Sequence, residues 1–295
     1  MPLLMTLVSL LVGQGSAPAP LVNLLIPPRA LAALLPINTA IVLHVGDKAS
    51  YDAGHIPGAQ LFEVREISEA GGTLRTQMLP IDGLRAAFEA HGVTDSNRIV
   101  LYSARGSQPQ STARVFVALD LLGLADRTSV LDGGLDAWRA EGGVLSTEIP
   151  TVAPGRFTPR PRADVIVDVT YVKTHLSDPH VSVVDARTRA YYTGEDTRGF
   201  PRPGHIPGAV NLPFDSLSHT GDAPVLKDLA TLKSLFAEAG VKPDAEVVAY
   251  CHIGLQASQV YMAGRMLGLR VKLYDGSFEE WSANAELPVD KGIKK

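Results

Sequence analysis

The feature that most constrains this chain is a repeat as long as a domain. The hexapeptide Gly-His-Ile-Pro-Gly-Ala occurs at 54–59 and again, letter for letter, at 204–209. Phe88 to Tyr102 (FEAHGVTDSNRIVLY) aligns without a gap to Phe236 to Tyr250 (FAEAGVKPDAEVVAY). Asp132-Gly133-Gly134, with Trp138 after it, aligns to Asp275-Gly276-Ser277, with Trp281 after it. The spacing is far longer than that of a solenoid, so the chain must fold as two copies of one domain. Its 295 residues suffice for two domains that each bury a core.

Each copy alternates short apolar runs with helical patterns. Ile41 to Val45, Ile99 to Tyr102 and Ser129 to Leu131 match Val181 to Ala186, Val247 to Tyr250 and Val271 to Tyr274. Such runs fit buried parallel strands. Val115, Ala118, Leu119 and Leu122 follow helical spacing and stop at Gly123; Val260, Ala263, Gly264 and Leu267 do so before Gly268. Asp82 is the expected cap of a helix ending near Gly92. The expected fold is α/β: two domains, each a parallel sheet covered by helices on both faces. The boundaries fall at 21–142 and 165–295. The Pro- and Arg-containing stretch 143–164 between them reads as an extended linker, or as an irregular part of either domain.

Composition excludes several classes of function. A net charge of -4 with scattered Lys and Arg gives no reason to expect nucleic acid as a partner. No apolar run reaches the ~20 residues of a membrane span. One cysteine rules out an internal disulfide and a thiolate-rich metal site, and no His pair has metal-ligand spacing. Residues 1–20 form a leader: Met1 to Val12 is apolar and Gly13 to Ala19 is small and polar. This reads either as a secretory signal, placing the protein in the periplasm, or as an unstructured leader of a cytoplasmic protein.

A lone cysteine is commonly a small buried hydrophobe. The context of Cys251 points elsewhere. The strand Val247 to Tyr250 runs into Cys251-His252-Ile253-Gly254-Leu255-Gln256, and a helix pattern begins near Ala257. The C-terminal end of a parallel strand is where α/β folds bind ligands. A helix N-terminus and a tight loop can aim backbone N–H groups at a sulfur, and both lower a thiol pKa from about 8.5. Gly254 eases the curvature of that loop.

With the two Gly-His-Ile-Pro-Gly-Ala elements, Asp185-Ala186-Arg187, Tyr250-Cys251 and Gly276-Ser277-Phe278-Glu279-Glu280-Trp281, the chain resembles the tandem-domain rhodanese family of thiosulfate and 3-mercaptopyruvate sulfurtransferases. The resemblance implies covalent catalysis without a cofactor. Cys251 takes sulfur from a donor as a persulfide, and an acceptor, cyanide or a thiol, removes it. It also implies that Arg187 clamps the anionic donor, although an ion pair with Asp185 is the alternative. Arg202 and His252 are further candidates for the same positive field, and His252 could instead face solvent. Ile253, Gly254, Leu255 and Gln256 would line the substrate. His55 and His205 occur in both copies and read as structural turn residues, and Trp138 and Trp281 as core or interface aromatics. Alignment puts Ser103 opposite Cys251 and Gly106 opposite Gly254, in a longer loop containing Pro109. The first domain is therefore expected to be catalytically silent. The loop lacks the hydroxyls that the family's mercaptopyruvate-type loops carry after Cys, so thiosulfate is the expected donor, with 3-mercaptopyruvate as the alternative. A cysteine phosphatase would need Arg where Ala257 stands, and a non-catalytic binding module would not need Cys251.

Overall fold

The computed structural model describes residues 19–37, 39–104, 106, 108–219 and 226–293. Residues 1–18 of the leader lie outside these. In the first half, β1 (Leu25–Ile26), β2 (Ala40–Val45), β3 (Gln60–Phe62), β4 (Arg98–Tyr102) and β5 (Thr128–Leu131) form a parallel sheet in the order β1-β5-β4-β2-β3. In the second, β6 (Ile166–Val167), β7 (Val181–Asp185), β8 (Val210–Asn211), β9 (Glu246–Tyr250) and β10 (Val271–Tyr274) repeat that order as β6-β10-β9-β7-β8. Strand order reverses between β7 and β9, which opens a crevice beyond their C-terminal ends, where Cys251 follows β9.

The helices of the first half are α1 (Pro28–Leu34), α2 (Lys48–Asp52), α3 (Ile81–Ala90), α4 (Pro109–Leu121) and α5 (Gly134–Ala140). Those of the second are α6 (Val169–His175), α7 (Arg189–Thr193), α8 (Leu229–Glu238), α9 (Leu255–Met266) and α10 (Ser277–Ala283). Three local expectations change. The N-cap of α3 is Pro80, and Asp82 sits inside the first turn. Helix α9 begins at Leu255, directly after the left-handed Gly254. Pro109 is the first residue of α4 and not part of the loop, a position that suits its missing N–H.

The halves join through α4 and α9, which pack against each other. An amphipathic stripe was expected for both helices. Instead nearly every residue from Gln110 to Asp120 and from Ala257 to Met266 is buried, because each helix lies between its own sheet and the other half. One apolar core runs across the junction, with Phe116 and Val117 in it beside Val260 and Tyr261. Charges inside the junction are paired. Asp120 accepts from Tyr261 Oη (2.8 Å), Arg265 Nε (2.7 Å) and Arg162 Nη1 (2.5 Å). Arg114 of α4 pairs with Asp275 at 2.6 Å. Breaking either group would strand a buried charge.

The repeated hexapeptide makes the same turn twice. His55 and His205 are buried, stack on Tyr51 and Tyr192, and bond the carbonyls of those tyrosines through Nδ1 (3.0 and 2.8 Å). The segment 143–164 is extended and runs along the first half, with Gly155 N donating to Glu89 O and Arg162 N to Leu121 O. Trp138 and Trp281 are buried and donate to the carbonyls of Val144 and Pro288.

Candidate active site

Cys251 is fully buried at the end of β9. The loop after it turns its carbonyls outward to waiting donors. Phe278 N donates to Cys251 O (3.0 Å), Glu279 N to His252 O (3.1 Å) and Thr76 Oγ1 of the first half to Ile253 O (2.6 Å). Ser277 Oγ accepts from Cys251 N at 3.2 Å and donates to Tyr274 O at 2.9 Å. These bonds hold Ser277 in a left-handed conformation, φ 53°, which a non-glycine residue rarely adopts. With the carbonyls facing out, the N–H groups of Ile253, Gly254, Gln256 and Ala257 bond the sulfur and pull the thiol pKa down. Burial pushes it up, and outweighs them in the resting thiol. The expected N–H cradle is therefore present, but the net effect expected of it is reversed by desolvation, which residue spacing does not reveal.

Gly254 has φ +87°, and a Cβ there would meet Asp275 Oδ1 at 2.8 Å and Arg114 Nη1 at 3.0 Å. The loop thus needs glycine for its backbone and for the approach of an ion pair that crosses between the halves.

A cavity of about 390 Å³ opens at Cys251. His252, Ile253, Leu255 and Gln256 line it; Gly254, expected with them, does not, because its α-carbon faces the Asp275–Arg114 pair. So do Tyr191, Arg198 and Phe200 of the second half and Arg75, Gln108 and Gln110 of the first. His252 stands edge-on to Tyr191 (4.4 Å between ring centroids) and stacks on Phe200 (5.2 Å). Burial, followed by the charge of Arg187, holds its pKa at about 4, so the imidazole is neutral at neutral pH and adds nothing to a positive field. The guanidiniums on the rim are Arg198, bound to Asp196, and Arg75, whose Nε donates to Glu279 at 2.6 Å; both are largely exposed.

Two arginines singled out from the sequence lie elsewhere. Arg187 is fully buried under the loop. Its Nη2 donates to Asp185 Oδ2 (2.6 Å) and Gly204 O (2.7 Å), and its Nε to Asp185 Oδ1 (3.0 Å). Tyr250 Oη donates to the same carboxylate, and the guanidinium lies 4.0 Å from the Phe278 ring centroid. This is the ion-pair alternative and not a clamp at the cavity wall, although its charge still reaches Cys251. Arg202 donates to the carbonyls of Trp281, Ser282, Asn284 and Leu287, at and beyond the end of α10.

A rhodanese-like domain matches this chain twice, over 28–141 and 168–284. The chain belongs to the rhodanese-like family. It is 30% identical over 243 residues to 3-mercaptopyruvate sulfurtransferase of Escherichia coli K12, covering 81% of this chain and 84% of that protein. It is equally 30% identical over 268 residues to thiosulfate sulfurtransferase of Azotobacter vinelandii, covering 90% and 97%. Among solved structures, wild-type EanB superposes with a TM-score of 0.82 at 25% identity, over 92% of this chain and 70% of that one.

Within the first rhodanese domain, different residues occupy the counterpart of the site. Strand pairing sets His44 against Tyr102 as it sets Asp185 against Tyr250. His44 therefore stands where Asp185 does, and Gly46 where Arg187 does. His44 is buried and bonds Tyr102 Oη and Ser50 Oγ, each at 3.1 Å; burial holds its pKa at about 4. Ser103 thus has neither thiol nor buried cation beneath it. Gly106 has the left-handed φ (80°) that Gly254 also has.

Two of the cavity residues missed from sequence, Arg198 and Phe200, share one detectable signal. The second copy carries an extra segment, 195–203, between its α7 and its Gly-His-Ile-Pro-Gly-Ala turn, and Arg198 and Phe200 are on it. Arg75 has no such signal, because it reaches the site from the other domain.

Proposed function

We propose that the protein moves sulfane sulfur from thiosulfate to a thiophilic acceptor, cyanide or a thiol, through a persulfide on Cys251. The thiolate attacks the outer sulfur of the donor and an S–S bond forms. The donor's own S–S bond breaks, and its electron pair leaves with sulfite. The acceptor then attacks the outer sulfur of the persulfide and returns Cys251 as thiolate. The N–H groups that bond the sulfur would stabilise both anions without a general base.

The observation that carries the choice of donor is the pair of guanidiniums at the cavity, Arg75 and Arg198, and the neutral His252 beside them agrees with it. Mercaptopyruvate leaves as a carbanion equivalent that needs a proton, whereas sulfite leaves as a stable anion. With its pKa at about 4, the imidazole that lines the cavity is not an imidazolium acid at neutral pH. Arg75 and Arg198 on the rim suit a compact dianion. Comparing kcat/KM for thiosulfate and 3-mercaptopyruvate, with cyanide as acceptor, tests this reading. Thiosulfate is expected to give the higher value, and a higher value for mercaptopyruvate contradicts it.

We also propose export to the periplasm, on the apolar run at Met1 to Val12. N-terminal sequencing of the native protein should find the leader removed; a mature chain starting at Met1 or Pro2 refutes this.

A further inference from the structure

Two peptide units inside the Cys251 loop each hold one N–H on the sulfur and turn the opposite C=O outward. In a trans peptide these groups point in opposite directions, so whatever binds the carbonyl aims the N–H. The unit between His252 and Ile253 is held from within the second domain, by Glu279 N. The unit between Ile253 and Gly254 is held by Thr76 of the first domain, whose Oγ1 donates to Ile253 O at 2.6 Å.

Thr76 is itself in an uncommon conformation. Its φ is +55°, an outlier for a β-branched side chain, of the kind that persists only where surroundings enforce it. The surroundings do so from both sides. Arg114 Nη2 grips Thr76 O at 2.6 Å, and Arg75 N and Met78 N donate to Glu279 and Asp275, each at 2.8 Å. A glycine at position 76 would relieve the strain, yet a hydroxyl stands there.

We infer that Thr76 is a positioning residue for the sulfur cradle: its hydroxyl fixes the 253–254 peptide so that Gly254 N–H points at Cys251. Through Thr76 the first domain thereby orients the active site of its neighbour, and Thr76 itself does so without lining the cavity. The inference rests on Cys251 being the reacting sulfur. Its test needs no sulfur transfer, so it can fail separately from the proposed reaction.

Cys251 is the sole cysteine, so alkylation by iodoacetamide reads it alone. The rate would be followed against pH for wild type, Thr76→Ser, Thr76→Val and Thr76→Gly. The charged and titratable groups around the sulfur are unchanged in all four: Arg187 with Asp185, His252, Arg75 with Glu279, and Arg114 with Asp275. Losing one N–H···S⁻ bond should raise the apparent pKa by about one unit in the Val and Gly variants. Alkylation well below that pKa would then slow about tenfold. Thr76→Ser keeps the hydroxyl and should stay within about twofold of wild type. Thr76→Gly accepts the positive φ without strain, so it folds even if Thr76→Val does not. A wild-type profile for Thr76→Gly, or a Thr76→Ser profile shifted as far as that of Thr76→Gly, overturns the inference.

Discussion

The loop at Cys251 works through single atoms. Glycine at 254 is required twice, by φ +87° and by the carboxylate and guanidinium that crowd its α-carbon. Gly254→Ala should therefore lower sulfur transfer at least tenfold and destabilise the fold by about 1–2 kcal/mol. Assay and thermal melts check both, and unchanged turnover would show that the loop tolerates another backbone. At Ser103 the opposite is expected. His44 and Gly46 occupy the positions that Asp185 and Arg187 hold in the second domain, so Ser103→Ala should keep wild-type kcat/KM. At this scale the sequence was informative about where Cys251 sits and poor about charge. The strand–Cys–Gly–helix order located the cradle, because such a loop has few ways to close. Arg187 had two readings because an arginine two residues past a buried aspartate reads the same whether it faces the cavity or folds back. Only Asp185, Tyr250 and Phe278 around it decide.

Among elements, the central strands were the most legible, and the short edge strands β1, β3, β6 and β8 and the helix ends the least. Val271 to Tyr274 is β10 without adjustment, because a short apolar run between turn residues has one way to be buried in a parallel sheet. Helix α9 starts two residues before the expected Ala257, since its first turn faces the cavity and need not be apolar. The segment 195–203 is an element of its own kind. It is absent from the first copy, carries Arg198 and Phe200 to the cavity, and is pinned by Arg202 to the end of α10. If Arg198 attracts the donor before reaction, Arg198→Ala should raise the KM for thiosulfate about three- to tenfold with kcat little changed. A fall in kcat at constant KM would mean that its charge acts on the transition state instead.

For the whole molecule, duplication dictated two domains, but not how they meet. The junction buries Arg114, Asp120, Arg265 and Asp275, which no apolar periodicity announces. It brings Arg75 and Thr76 to a site belonging to the other copy. Buried neutral histidines give the molecule a pH limit. His44 has a folded pKa of about 4 against 6.5 when free, so the unfolded chain binds more protons between those values. Its contribution is present above pH 6.5 and lost as pH falls towards 4, on the order of 3 kcal/mol. His44→Gln should flatten the fall in melting temperature across that window; an equally steep fall would place the acid sensitivity elsewhere.

The central claim is that sulfur rides on Cys251 and nowhere else. Intact mass spectrometry after incubation with thiosulfate, without acceptor, measures this directly. Wild type should gain the mass of one sulfur atom and lose it on adding cyanide, Ser103→Ala should behave likewise, and Cys251→Ser should gain nothing. An unmodified wild-type protein, or a sulfur adduct on Cys251→Ser, would contradict the account.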